Sequence, residues 1–304
     1  SANDIDKPEG KIVYTAMLNK TGGIRADLTI TRLTEDRFLV LTGAGVGMRD
    51  LQWIRQNAPK DGSVLVEEVT SRYGAVGMWG PEARTVLESI CDQDVSNESF
   101  PYFTAKRLTI DTVPVLALRL SYIGELGWEL YAPVEYGLHL WDVLWEAGQN
   151  HGMIAAGGGC FDALRLEKGY RLWGADIHTD YNPYEAGLGW AVRLNQGDFL
   201  GREALLKIKA AGIHIQRKLC CMTLDEPGAV VLGKEPILAD GKTLGYVTSA
   251  NYGYAVGRYI VYGYLPLEYA EPGTGVEIMY FGRRYAATVT QEPLYDAAMT
   301  RLKS

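Results

Sequence analysis

From its start the chain alternates short apolar, β-prone runs with polar turns. Lys11 to Leu18 reads as a strand. Asn19 to Gly23 reads as a turn, because adjacent glycines reach positive φ without a Cβ clash. From Asp27 the residues alternate in type, which predicts a strand to Leu33 with Asp27, Thr29 and Thr31 on one face and Leu28 and Ile30 on the other. Phe38 to Leu41, Ser63 to Val69, Ala75 to Trp79, Leu108 to Ile110, Val115 to Tyr122 and Trp128 to Ala132 are further predicted strands. Arg49 to Gln56 reads as a helix, and so does Pro81 to Ser89, with proline where a missing N–H costs nothing. Glu135 to Gln149 carries Leu138, Trp141, Leu144 and Trp145 as an apolar stripe near the 3.6 period. Phe161 to Trp173 repeats the pattern with Leu164, Leu166 and Tyr170, and Gly174 is placed to stop it. A polar loop from Asp176 to Pro183, a strand from Leu188 to Leu194 and a helix from Phe199 to Ala211 follow.

Beyond about Gln216 the texture changes. Leu219–Leu224, Leu244–Ser249, Tyr259–Tyr264, Gly275–Tyr280 and Arg284–Thr290 are β-prone runs between Gly and Pro turns, with no amphipathic helix among them. The pattern predicts an α+β chain: residues 1–215 mix strands and helices, and residues 216–304 form a separate all-β sandwich or barrel. Strands and crossover helices do not alternate regularly, which disfavours a doubly wound sheet.

Composition narrows the function classes. At 304 residues and 47% hydrophobic content there is ample material for a core. A net charge of −7 argues against a nucleic-acid or anionic-membrane surface. No apolar run reaches the roughly 18–20 residues of a membrane helix, and no signal peptide is visible. Cys91, Cys160, Cys220 and Cys221 form no CxxC pair and read as free thiols of a reducing compartment. As neighbours in a strand, Cys220 and Cys221 point to opposite faces. His139, His151, His178 and His214 are scattered, with no metal-ligand spacing.

Three places carry candidate chemistry. The glycines of Gly43-Ala44-Gly45-Val46-Gly47 have GxGxG spacing rather than GxGxxG, which favours a tight strand-to-helix turn over a nucleotide loop. Asp27 is a residue type depleted in strands, yet it begins one directly after a Gly-Gly turn. Read locally it is either a turn carboxylate bonding backbone amides or a functional acid. If residues 124–127 make a four-residue hairpin loop, Tyr122 faces Glu129. A carboxylate beside aromatic rings suits a heterocycle with an N–H edge; an exposed hairpin with a surface Glu is the alternative. The helix around Arg165, Glu167 and Lys168 reads locally as structural, with surface ion pairs of little individual worth.

At these motifs the chain resembles the glycine-cleavage T-protein (aminomethyltransferase) family over nearly its whole length. Asn3-Asp4-Ile5-Asp6, Gly22-Gly23-Ile24-Arg25-Ala26-Asp27-Leu28, the hairpin Tyr122 to Glu129, and Leu164-Arg165-Leu166-Glu167 followed by Gly174 carry the likeness. Arg165 to Arg171, Glu185 to Gly189, Gly245 to Ser249 and Pro293 to Asp296 are similar to the C-terminal folate-binding region of the dimethylglycine oxidase and dehydrogenase branch. Phe161 stands where glycine-system members usually carry Arg, which also favours that branch.

The resemblance implies a three-lobed fold, with two α+β lobes and a β-rich C-terminal lobe around a channel. It implies tetrahydrofolate as cofactor, which captures the carbon of an iminium formed from an N-methyl amine and gives 5,10-methylenetetrahydrofolate. FAD is expected only on an upstream domain or separate partner chain that oxidises the amine. The family's catalytic Asp matches Asp27, which would stabilise the cationic iminium or manage protons at the attacking nitrogen. Glu129 matches the acid that binds the pterin N–H edge. Tyr14, Thr29, Leu41, Tyr122, Leu130, Tyr131 and Trp190 match the pocket lining. Family members have a strand and helix ahead of the Asn-Asp segment that this chain lacks, so an upstream portion is expected to be missing or carried elsewhere. The implied location is cytoplasm, or mitochondrial matrix in a eukaryote. A freestanding aminomethyltransferase or demethylase with another donor is the second reading. A non-catalytic folate binder ranks last, because the Lys-Gly-Cys-x-x-Gly segment of such relatives is absent around Cys160.

Overall fold

The computed structural model describes residues 1–212 and 215–304, so His214 lies outside the described residues. The first lobe is built on β1 (Ile12–Leu18), β2 (Ile24–Arg32) and β3 (Phe38–Leu41), an antiparallel sheet followed by α1 (Gly47–Asn57). The second contains β4 (Tyr73–Trp79), α2 (Ala83–Glu88), β5 (Thr104–Ile110), β6 (Val113–Arg119), β7 (Gly127–Pro133) and α3 (Gly137–Gly148). Its strands pair in the order β4-β7-β6-β5, and α2 and α3 bury Val86, Leu87, Leu140 and Leu144 against one face. Then come α4 (Gly158–Glu167), α5 (Arg202–Ala210), β8 (Arg217–Leu224), β9 (Pro236–Ala239), β10 (Lys242–Gly253), β11 (Arg258–Pro266), β12 (Gly275–Tyr280), β13 (Arg283–Thr290) and α6 (Thr300–Lys303). The strands from β8 onward close a barrel in the order β10-β11-β8-β13-β12-β9. The class is α+β with a β-barrel C-terminal lobe, as the pattern predicts.

Alternation decides what each strand presents. Along β2, Ile24, Ala26, Leu28 and Ile30 are buried while Arg25, Asp27 and Thr29 are half-buried. In β8, Cys220 packs inside the barrel with Met222 and Val261, whereas Cys221 packs outside with Leu166 and Tyr262. All four cysteines are free. The turn before β2 requires glycine: a Cβ at Gly23 would stand 1.9 Å from the Thr179 carbonyl oxygen.

Several expectations need correction. Asp27 lies inside β2 rather than at its start, because pairing already begins with Ile24 opposite Leu18. Ser63 to Val69 forms no strand: among the described residues it pairs with nothing, and Leu65 is 90% exposed. Leu188 to Leu194 holds a 3-10 turn at Gly189–Ala191. In α3 the buried apolar side chains are Leu140 and Leu144, with Gly148 buried at its end, while Leu138, Trp141 and Trp145 face outward. The helix expected from Phe161 to Trp173 starts earlier and stops at Glu167. There Gly169 takes φ +72°, its N–H bonds the Leu166 carbonyl, and the Tyr170 N–H bonds the Arg165 carbonyl, the two bonds of a Schellman end. Arg165, read as a surface residue, is 1% exposed. Finally, β6 ends at Arg119, so the connection to β7 is longer than a four-residue hairpin loop and Leu118, not Tyr122, stands opposite Glu129.

Candidate active site

Tyr14 on β1 pairs with Thr29 on β2, which pairs with Leu41 on β3, so the three form one row across the first sheet. Asp27, two residues from Thr29, lies on the same face. This face borders a cavity of about 1140 Å³. Glu129 and Tyr131, alternate residues of β7, line it from the second sheet. Tyr102 and Tyr122 come from loops, Trp190 from the 3-10 turn, and Pro293 and Met299 from the C-terminal segment.

Asp27, Tyr14, Thr29, Leu41, Tyr122, Glu129, Tyr131 and Trp190 therefore meet around one space. Leu130 does not join them. It lies between two cavity-facing residues of a strand and must point the other way; it is 0% exposed, in the core with Trp128, Leu140 and Leu144. We expect Leu130→Val to lower stability by about 1 kcal/mol in urea denaturation and to leave ligand affinity at the cavity unchanged. An affinity loss larger than the stability loss would contradict this placement.

The Tyr14 hydroxyl donates to Asp27 Oδ2 at 3.2 Å, and the Tyr14 ring stacks on Trp190 with centroids 5.5 Å apart. Among the described residues no side chain donates to Oδ1. Burial raises the Asp27 pKa above the ordinary carboxylate value; the Tyr14 bond opposes the rise, and the nearby Asp50 carboxylate adds to it. Asp50, fully buried on α1, is held by Thr42 and Arg49. Glu129 has a parallel environment. Burial raises its pKa, opposed by the Tyr131 hydroxyl, which donates to Oε2 at 2.6 Å. Tyr122 reaches the cavity by a route other than the expected hairpin: its hydroxyl donates to the Arg171 carbonyl at 2.8 Å, and its ring stacks on Tyr170.

Sequence reasoning assigned no site role to several lining residues. Arg171 and Glu292 form a two-pronged ion pair on the wall, with bonds of 2.6 and 2.9 Å. They are 121 residues apart, so no local pattern could join them. Trp173 lines the cavity under the Arg49 guanidinium, 3.6 Å from its ring centre. Tyr102 and Phe103 also line the cavity, outside any motif singled out in the sequence. The Gly43 to Val46 run forms the strand-to-helix turn expected and also borders the cavity. Phe161 packs edge-on against Trp79 instead. Among the described residues no cluster of three or more His, Cys, Asp or Glu could hold a metal, and no helix is long and apolar enough to cross a membrane.

Chemically, the cavity offers aromatic walls and, apart from Glu292 in its pair with Arg171, two carboxylates, Asp27 and Glu129, each with one oxygen committed to a tyrosine and, among the described residues, the other without a side-chain donor. That suits a planar heterocycle: rings stack, and a carboxylate accepts from ring N–H groups. A second carboxylate in a poorly hydrated site can hold passing positive charge or take a proton.

Two family models match, the GCVT N-terminal domain over residues 1–196 and the glycine cleavage T-protein C-terminal barrel domain over residues 217–296. The human mitochondrial dimethylglycine dehydrogenase is 39% identical over 287 residues, covering 94% of this chain and 33% of that protein. The chain thus spans about a third of that relative's length. An aminomethyltransferase of Halothermothrix orenii is 35% identical over 285 residues, covering 94% of this chain and 78% of that protein. The crystal structure of glycine cleavage system aminomethyltransferase T from Bartonella henselae superposes with a TM-score of 0.82 at 26% identity, covering 94% of this chain and 76% of that one.

Proposed function

The chain belongs to the folate-dependent aminomethyltransferase (glycine-cleavage T-protein) family, and from that premise we propose that its cavity binds tetrahydrofolate and that Asp27 serves transfer of a formaldehyde-level carbon to it. The observation that carries this reading is the pair of desolvated carboxylates, Asp27 and Glu129, lining one aromatic cavity.

The residues present fit the group. Glu129 keeps Oε1 for the N–H edge of the pterin while Tyr131 fixes Oε2. Tyr102, Tyr122 and Trp190 supply ring faces, and a volume of about 1140 Å³ is ample for the ligand. When bound, tetrahydrofolate supplies the nucleophilic nitrogens that accept the carbon. Asp27 Oδ1 is the atom free to face the iminium cation and to take the proton released as the carbon–nitrogen bond forms. Tyr14 holds Oδ2 and so sets the direction of Oδ1. The burial of Asp27 strengthens the charge stabilisation it offers.

The donor we propose is an N-methyl amine such as dimethylglycine, oxidised to its iminium by an FAD-dependent domain or partner chain, with 5,10-methylenetetrahydrofolate and the demethylated amine as products. Its support is the 39% identity to the human dimethylglycine dehydrogenase. A freestanding aminomethyltransferase with another donor draws on the likeness to the Halothermothrix protein, of which this chain covers 78%. Supplying each donor with the same folate separates the two.

Anaerobic calorimetric titration with tetrahydrofolate tests the binding. We expect Glu129→Ala to weaken it by about 1–3 kcal/mol, the worth of a hydrogen bond to a charged group. A folded chain that binds no tetrahydrofolate would overturn the folate reading. Equal affinity in Glu129→Ala would overturn the assigned ring contact.

A further inference from the structure

Strand β2 carries an irregularity just ahead of Asp27. Leu18 of β1 stands opposite Ile24 and Met17 opposite Ala26, so Arg25 has no opposite number and the strand bulges there. The bulge changes which side chains share a face. In a regular strand residues 24 and 27 point to opposite sides. Here Ile24 packs with Ala16 and Leu18, and Ala16 stands opposite Asp27, so Ile24 and Asp27 lie on one face. Ala26 packs on the other face with Met17 and Trp53. Whatever fixes the bulge therefore fixes the direction in which Asp27 leaves the strand.

Two side chains hold the backbone at the bulge. Arg49 Nη2 donates to the Arg25 carbonyl at 2.9 Å, and the Trp173 indole N–H donates to the Ile24 carbonyl at 3.2 Å. The two are stacked, with the guanidinium 3.6 Å from the Trp173 ring centre. Behind them lies Asp50, 0% exposed. Its Oδ1 accepts from Arg49 Nε at 2.9 Å and Nη2 at 2.7 Å, and its Oδ2 accepts from the Thr42 hydroxyl. A carbonyl outside a ladder needs a donor, and a buried carboxylate needs a counter-ion. One guanidinium answers both. The Asp50 charge also acts on Asp27, disfavouring a second anion beside it. The other titratable groups that face Asp27 are Tyr14 from β1 and Tyr122 from the loop after β6. Arg171, which acts on Tyr14, is paired with Glu292.

We propose that Arg49 and Asp50 are the positioning pair of this site: Arg49 pins the bulge that aims Asp27, and Asp50 holds Arg49 in place while setting a second negative charge behind Asp27. Neither residue lines the cavity, so both reach the reaction through Asp27. The proposal rests on the reading of Asp27 given above. It separates two effects. Aim sets the rate when Asp27 is ionised, and the charge of the pair sets the pH below which Asp27 is not.

The test is single-turnover carbon transfer by the full chain over a pH series, with tetrahydrofolate affinity titrated alongside. Arg49→Met and Asp50→Asn should each slow transfer above the acid limb by about 10–10²-fold, the cost of a misaimed group, and change folate affinity far less. Their acid limbs should move in opposite directions. Asp50→Asn removes a like charge, lowers the Asp27 pKa and carries the limb to lower pH. Arg49→Met removes the cation that answers Asp50, raises the Asp27 pKa and carries the limb to higher pH. Arg49→Lys keeps the charge and loses the fork, so its limb should return towards wild type while its rate stays low. Trp173→Phe keeps a ring under Arg49 and removes the bond to Ile24; it should slow transfer with the limb in place, and it serves also if a charge variant fails to fold in urea denaturation. Limbs that stay put or move together in Arg49→Met and Asp50→Asn, or rates that match wild type, overturn the positioning pair. If Asp27→Asn itself transfers carbon at the wild-type rate, the reading of Asp27 fails and the pair with it.

Discussion

Replacing Asp27 by asparagine is expected to slow single-turnover carbon transfer by about 10²–10⁴-fold, the usual worth of a positioned acid–base group, with folate affinity nearly unchanged. The substitution keeps the side-chain shape and an acceptor for the Tyr14 hydroxyl, so the cavity wall survives. It removes the negative charge and the proton acceptor, which matter only as positive charge passes; such a loss lowers the rate constant and spares binding. The measurement is rapid mixing of tetrahydrofolate-loaded protein with an iminium generated in place by a flavin amine dehydrogenase, corrected for the spontaneous reaction. A pH series adds an independent readout. Burial raises the Asp27 pKa above the ordinary ~3.9 of an aspartate. Since the working form is the carboxylate, transfer should be full above the raised value and fall as pH drops through it. The Tyr14 bond lowers that pKa, so Tyr14→Phe should shift the acid limb upward, and the asparagine variant should have none. An undiminished rate in Asp27→Asn would end the catalytic assignment.

What the sequence could disclose was set by distance along the chain. The faces of β2 were legible because alternation is local: Asp27 and Thr29 share a side whatever the rest of the protein does. The opposed faces of Cys220 and Cys221 followed for the same reason. Leu130 was misplaced although the same rule forbids it, since matching it with Glu129 and Tyr131 ignored the alternation of β7. The α3 stripe failed differently. Its apolar residues surround more than one face, and only packing on the β4-β7-β6-β5 sheet chooses Leu140 and Leu144 over Leu138 and Trp141. The strand expected at Ser63 to Val69 has the composition of one but no partner to pair with. The Arg171–Glu292 pair and the walls given by Pro293 and Met299 come from a segment that returns from beyond the barrel, and no window of neighbours contains both sides.

The α4 charges show how large the unseen part is, and they carry the second strong expectation: Asp176→Ala should cost about 3–5 kcal/mol of stability. Arg165 and Asp176 are each 1% exposed and bonded at 2.6 Å. Asp176 also accepts from the Thr248 hydroxyl at 2.6 Å and the Leu172 N–H at 3.0 Å, and Arg165 donates to the Ser249 hydroxyl at 2.8 Å. One ion pair thus ties the end of α4, the loop after it and barrel strand β10 together. Truncating Asp176 leaves the Arg165 charge in the interior with only the half-exposed Asp162 to answer it, and leaves the Thr248 hydroxyl with only its longer bond, to the Tyr262 carbonyl at 3.2 Å. Uncompensated burial of charge is the costly event, not the loss of attraction itself. A double replacement of Arg165→Met with Asp176→Leu should therefore recover much of the loss, although it removes the whole pair. Urea denaturation of the three proteins decides the matter. If the double variant is as unstable as Asp176→Ala or worse, the hydrogen bonds across to β10 outweigh the stranded charge, and the pair acts as the fastening between barrel and helix. If Asp176→Ala costs under about 1 kcal/mol, the range of an exposed pair, water reaches this pair and it belongs with the surface ion pairs that the local sequence implies.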